Sequence, residues 1–128
     1  MLIALDLHDQ TPIYEQLMAS IKELINRAAL RKGDSLPTVR QLAQDLGVNL
    51  NTVARAYREL AAQGILSVRQ GRGASVASAR GRYGAAEEAN LRREIKRLVN
   101  EALVLGVGLE ELHAMIDAEV HSIEEGGS

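Results

Sequence analysis

Thr38-Val39-Arg40-Gln41-Leu42-Ala43-Gln44-Asp45-Leu46-Gly47-Val48-Asn49-Leu50-Asn51-Thr52-Val53 holds two helix starts separated by one glycine. Thr38 and Gln41 have the spacing of a capping box, in which each side chain satisfies a backbone N–H of the other residue. Val39, Leu42, Ala43 and Leu46 then recur at helical intervals and supply a buried face. Gly47 is placed to take the left-handed conformation that closes the helix. Asn49 is a good cap for the next helix, which is expected to run to about Gln63 before Gly64 stops it. Val53, Ala56, Tyr57 and Leu60 form its inward stripe. Almost no chain lies between the two helices, which is the length and chemistry of the turn in a helix-turn-helix.

Upstream, Thr11-Pro12 is expected to begin a long first helix, with Thr as cap and Pro at the first helical position, where its missing N–H costs nothing. Ile13, Leu17, Ile21, Leu24 and Ile25 give it one apolar stripe, and Lys32-Gly33-Asp34 is the turn expected to end it. Downstream of Gly64 the period changes. Ile65-Leu66-Ser67-Val68-Arg69 predicts a strand, Gln70-Gly71-Arg72-Gly73 a tight turn, and Ala74-Ser75-Val76-Ala77 a returning strand. Three helices and a glycine-turn hairpin predict a winged helix-turn-helix over residues 1–78, in an α+β fold that is mainly helical. Its small core needs only aliphatic side chains.

Small and flexible residues between 79 and 84 predict a linker, and residues 85–125 predict two helices before a frayed tail at 126–128. Leu91, Ile95, Leu98, Ala102 and Leu105 are spaced alternately by four and three, a short coiled-coil-like seam. Gly106 and Gly108 interrupt it. Leu109, Leu112, Ile116, Val120 and Ile123 then line one side of a second helix. Two helices cannot bury both stripes on so small a body without a partner, so the region is expected to dimerise.

The 128 residues allow one domain with an appendage, and 46% hydrophobic with 25% charged residues is an ordinary globular composition. Three tyrosines are the whole aromatic content, which disfavours nucleic-acid binding by base stacking. The absence of Cys excludes thiolate catalysis, disulfides and Cys-ligated zinc. The short apolar start lacks a basic leader, and no run approaches the ~20 apolar residues of a membrane span. A cytoplasmic protein with no membrane partner is expected. The net charge of -2 conceals segregation. Residues 1–80 carry ten Lys and Arg against seven Asp and Glu, whereas residues 81–128 carry five against ten. Such asymmetry suggests a nucleic-acid-binding part joined to an acidic part with another role.

With Val53 inward, steps of 100° per residue put Asn51, Arg55 and Arg58 on the opposite face of the third helix. Asn49, Leu50 and Thr52 occupy its first turn, the end that a recognition helix presents to the major groove. Asn can pair bidentately with adenine, and Arg with guanine or phosphate. A solvated polar face would explain these residues equally well if the flanking turn and hairpin were missing. In the wing, Arg69 and Arg72 bracket Gly71, where an arginine can enter a narrow minor groove. Thr38 and Arg40, at the start of the second helix, lie close to the same surface; an ion pair is the alternative for Arg40.

These residues resemble the signature of the GntR family of bacterial transcription regulators. The likeness runs through Gly33-Asp34-Ser35-Leu36-Pro37-Thr38-Val39-Arg40-Gln41-Leu42-Ala43, Leu46-Gly47-Val48, Asn51-Thr52-Val53, Gly64 and Gly71-Arg72-Gly73. Thr11-Pro12-Ile13-Tyr14, the run from Asn49 to Tyr57 and the short two-helix tail are similar to the YtrA-like subfamily. The resemblance implies a homodimeric DNA-binding regulator, commonly a repressor of its own operon, often one encoding an ABC transporter. By position it implies operator contacts from Arg40, Asn49, Asn51, Thr52, Gly71 and Arg72. Leu50 departs from the family pattern, since many members have Arg there; it can touch a thymine methyl or cover the helix end.

Forty-eight residues after the wing are too few for a separate effector domain. A small-molecule effector, if one acts, has to bind at the dimer interface or between the two parts. No cofactor is expected. His113, Asp117 and His121 align along one helical edge and make a conceivable divalent-metal site, but three residues of one helix cannot close a tetrahedral shell. A polar flank beside the apolar stripe accounts for the same spacing. Enzyme activity is the weakest class, because the glycine turn lacks the strand-to-helix setting of a nucleotide loop. A winged helix serving only as a protein-interaction module is the serious alternative to DNA binding.

Overall fold

The computed structural model describes residues 3–69 and 73–125. Its contacts divide the chain into two units, with the division between Gly81 and Arg82. In the first unit, α1 (Ile13–Asn26), α2 (Val39–Leu46) and α3 (Leu50–Ala62) accompany three short strands. These are β1 (Ser35–Leu36), β2 (Leu66–Arg69) and β3 (Gly73–Val76), arranged antiparallel in the order β1-β3-β2. The helix–helix–helix–hairpin succession is the winged helix-turn-helix that the sequence predicts.

The core forms where the three helical stripes converge. Leu17, Ile21 and Ile25 of α1 meet Leu42 and Ala43 of α2 and Val53, Ala56, Tyr57 and Leu60 of α3. Ile65, Leu66, Ala74 and Val76 close the cluster from the hairpin, and Leu36 enters it from β1. Val39 and Leu46, expected in the same face, are half-buried and pack on its margin. No buried side-chain polar atom among the described residues lacks a hydrogen-bond partner. Burial of these side chains, aliphatic except for Tyr57, therefore leaves no polar side-chain atom uncompensated.

Several boundaries differ from the sequence expectation. Pro12 is the cap of α1, and its carbonyl receives Glu15 N–H and Gln16 N–H. Thr11 instead turns back to Asp9, whose Oδ1 accepts both its N–H and its hydroxyl. Those two bonds, the N–H first, hold the Asp9 carboxyl below the usual carboxylate range. Gln16 ties this entry segment down, donating to the carbonyls of Asp6 and Thr11 and accepting Asp6 N–H.

The end of α1 also comes early, at Asn26 rather than near Lys32. Ala28, at φ 60, reverses the chain, and Ala29 N–H and Leu30 N–H both reach Leu24 O. Leu30 thereby packs against the core instead of extending the helix into solvent. β1 is an addition: Ser35 pairs with Ser75 and Leu36 with Ala74. β2 and β3 start one residue later and earlier, respectively, than the runs from Ile65 and Ala74 suggest. Leu66 faces Val76 in the core, whereas Val68, opposite Ala74, is exposed as the hairpin leaves the body. The turn residues Gln70, Gly71 and Arg72 lie outside the described residues, as does the expected tail at 126–128.

The second unit consists of α4 (Ala85–Val104) and α5 (Leu109–Glu125), both carrying carboxylates in the first turn, where the helix dipole favours them. Ala102 and Leu112 are its buried side chains among the described residues. Leu105, expected on the α4 seam, is instead the C-cap residue just beyond the helix. Among the described residues no helix is long and apolar enough to cross a membrane.

Candidate nucleic-acid interface

The first turns of α2 and α3 are fixed by the chemistry their sequence announces. Thr38 Oγ1 accepts Gln41 N–H at 3.1 Å, and Gln41 Oε1 accepts Thr38 N–H at 3.1 Å, completing the capping box. Gly47 closes α2 at φ 67, and Val48 N–H donates to Ala43 O across the turn. Left-handed backbone at this one residue redirects the chain between the helices. Two residues later Asn49 caps α3, its Oδ1 accepting Asn51 N–H at 2.8 Å.

This cap divides labour between the two asparagines. A bidentate contact to adenine needs the side-chain oxygen and nitrogen together. Asn49 Oδ1 already accepts one N–H of the helix, while its amide nitrogen is free to donate to an acceptor such as a phosphate oxygen. Asn51 is exposed, and no hydrogen bond engages its side chain among the described residues. Both halves of its amide are therefore free, as a bidentate contact requires. Leu50, 42% exposed at the first helical position, presents an apolar tip beside it. Thr52 is half-buried, with its N–H bonded to Asn49 O.

Arg58 is exposed on the outer face of α3, and Arg40 is exposed in the first turn of α2. Neither belongs to an ion pair among the described residues, where the pairs are Arg27–Glu23, Arg92–Glu88, Arg97–Glu94 and His121–Glu125. The ion pair weighed for Arg40 from spacing is therefore not formed. Arg69 ends β2 opposite Gly73 and is exposed. Gly71 and Arg72, singled out in the wing, lie outside the described residues. Arg55 behaves differently from its neighbours: its Cζ stands 3.8 Å above the centre of the Tyr14 ring on α1. Sequence reasoning missed Tyr14, because a half-buried ring beside the apolar stripe of α1 reads as core packing.

Tyr57 sets the mutual position of these parts. Its hydroxyl, carried on the inward face of α3, donates to Pro37 O at 2.7 Å. Burial pushes the phenol up to about 12 from its ordinary 10.0.

The α5 residues His113, Asp117 and His121 are exposed. His121 Nε2 lies 3.1 Å from Glu125 Oε1, and no group of three or more His, Asp and Glu side chains able to hold a metal forms among the described residues. On α4, Leu91, Ile95 and Leu98 are 54%, 58% and 45% exposed. With Glu94, Arg97 and Glu101 they line a groove of about 530 Å³. On the second helix Leu109, Ile116 and Val120 are likewise exposed, whereas Leu112 is buried.

Known proteins share this arrangement. The HTH-type transcriptional repressor YtrA of Bacillus subtilis is 36% identical over 127 residues, covering 98% of this chain and 97% of its own length. A crystal structure of a transcriptional antiterminator from Listeria monocytogenes EGD-e superposes with a TM-score of 0.86 at 31% identity, covering 96% of this chain and 92% of that one. The DNA-binding domain of AraR, crystallised in complex with operator ORE1, matches with a TM-score of 0.51 at 31% identity, covering 60% of this chain and 94% of that one. Residues 13–76 match the sequence model of the bacterial regulatory proteins of the gntR family, and with the near full-length likeness to YtrA they place this chain in that family.

Proposed function

We propose that this chain is a sequence-specific transcriptional repressor that binds a pseudo-palindromic operator as a homodimer. Each protomer lays α3 in a major groove and brings the β2–β3 hairpin to the adjacent minor groove. The observation that carries the reading is the free outer face of α3. Asn51 and Arg58 stand exposed and unengaged on a helix whose first turn is rigidly capped. Asn51 reads a base edge, Arg40, Arg58 and Asn49 hold phosphates, and Leu50 packs on an apolar base surface. Arg69 approaches the minor groove with the wing.

The α4 seam supports the homodimer. Leu91, Ile95 and Leu98 leave a contiguous apolar strip in water within each protomer, and Glu94 and Arg97 flank it with opposite charges. Exposed apolar strips of this kind mark association surfaces, and a second copy covers its own strip symmetrically. Regulation of the chain's own operon, often one with transporter genes, is the target that the family likeness suggests.

Footprinting of the full chain on DNA immediately upstream of its own gene tests the reading. The expected result is a protected pseudo-palindrome with half-sites about 34 Å apart or a multiple of that. Affinity should also fall steeply with salt, because neutralised phosphates release counterions. No protection together with a flat salt response would overturn the reading in favour of a protein-interaction module.

A further inference from the structure

We propose that Tyr14 is a positioning residue for DNA binding, holding Arg55 as a clamp on the phosphate backbone rather than a reader of bases. The inference rests on the DNA-binding role of α3 and assigns to Arg55 a task different from that of Asn51 on the same helix.

The geometry separates Arg55 from the rest of the outer face. Its Cζ stands over the Tyr14 ring, 3.8 Å from the centroid, so the side chain is drawn toward α1. An α-helix with its side chains is about 10–12 Å across, and the major groove of B-DNA is about 12 Å wide. A helix seated in the groove therefore fills it, and an element packed against the helix's flank stands over the sugar-phosphate rim. α1 packs on α3, and Tyr14 in its first turn reaches Arg55 on the outer face of that helix. An arginine held at the α1 side of α3 consequently meets phosphates, whereas Asn51 points at the groove floor.

Stacking also leaves Arg55 chemically ready. Among the described residues no hydrogen bond or ion pair engages its N–H groups, and those are the groups that grip a phosphate in bidentate fashion. The carboxylates nearest in sequence to Arg55 and to Tyr14 do not take them. Glu59 follows at the i+4 position, with the Arg N-terminal to the Glu, the weaker order for a helical pair, and no ion pair between them forms. Glu15 is engaged elsewhere, its Oε1 accepting the Tyr14 hydroxyl at 3.2 Å. The ring thus restrains a long, flexible cation before the ligand arrives, reducing the freedom lost on binding.

The test measures affinity of the full-length protein for a mixed-sequence duplex across a salt series, since a phosphate contact is indifferent to sequence. Arg55→Ala should lower the log–log salt slope by about 0.9 for each protomer bound. Tyr14→Leu should weaken binding about two- to fivefold per protomer, the range of an exposed cation–π contact, and Tyr14→Phe should bind as the wild type does. In the Arg55→Ala background, Tyr14→Leu should change affinity no further. Arg55→Lys, which leaves Tyr14 untouched, should keep the salt slope while losing affinity, because an ammonium lacks the planar stacking face. An unchanged slope in Arg55→Ala, or additive losses in the double variant, would overturn the clamp while leaving DNA binding intact. A wild-type affinity independent of salt would instead overturn the DNA-binding reading beneath it.

Discussion

The Tyr57 hydroxyl donates a 2.7 Å hydrogen bond to the Pro37 carbonyl, fastening the middle of α3 to the residue before the α2 capping box. The ring around that hydroxyl is 1% exposed, and the accepting Pro37 is half-buried. Tyr57→Phe keeps the packing and removes the donor, leaving a half-buried carbonyl without its protein partner. The variant should lose about 1–2 kcal/mol of stability in chemical denaturation.

The same phenol makes stability depend on high pH. Its folded-state pKa is raised by burial to about 12, above the unfolded 10.0. The contribution is complete below pH 10 and is lost as pH rises toward 12, because the unfolded state ionises first. Melting curves of wild type and Tyr57→Phe should converge across that window. A constant gap between them would show that the phenol is not the titrating group.

Two substitutions probe left-handed backbone with opposite signs. Gly47→Ala places a Cβ that meets nothing within 4 Å, so the loss is conformational alone, about 1–2 kcal/mol. Ala28→Gly relieves an alanine held at φ 60 and should stabilise the chain by up to about 1 kcal/mol. Thermal melts of the two variants should move in opposite directions.

On the surface proposed to face DNA, Asn51→Ala should cost about 1–3 kcal/mol of operator affinity and relax base preference at one position. Arg40→Ala should weaken binding to all sequences alike and flatten the salt dependence. Both side chains are exposed, so melting temperatures should stay close to wild type. Unaltered affinity in both variants would mean that another surface contacts DNA.

For the second unit, the double substitution Ile95→Glu with Leu98→Glu should convert a dimer into a monomer in sedimentation. Both positions are exposed within the protomer, so its own fold tolerates the change. A dimer that survives the substitution would place the interface away from α4.

Where the chain obeys local chemistry, the sequence was a sufficient guide. The Thr38–Gln41 capping box, the Gly47 turn, the Asn49 cap and the stripe from Val53 to Leu60 each depend on neighbours within one or two helical turns. Features set by distant contacts were hidden. β1 has two residues, too few to display a strand's alternation, and exists because β3 offers it a ladder. α1 stops at Asn26 although Arg27, Ala28 and Ala29 are good helix formers; packing of Leu30 overrides their propensity. The pairing of Arg55 with Tyr14 spans two helices far apart in sequence. Periodicity places each residue on a face but does not say which faces meet.

β1 also has a mechanical consequence. Ser35 and Leu36 are laddered to Ser75 and Ala74 of the hairpin, and Thr38 begins the capping box of α2 two residues later. A Cβ on Gly73 would lie 3.5 Å from Thr38 Cγ2, so the turn end of β3 abuts the cap itself. Hairpin and helices are consequently denied independent swivelling. Once either has found its groove, the other searches a volume of a few ångströms rather than the surrounding solution, so its engagement is in effect intramolecular. Severing the Ser35–Leu36 ladder would be equivalent to putting the wing on a slack tether: each contact could survive chemically while their joint grip on two grooves disappeared.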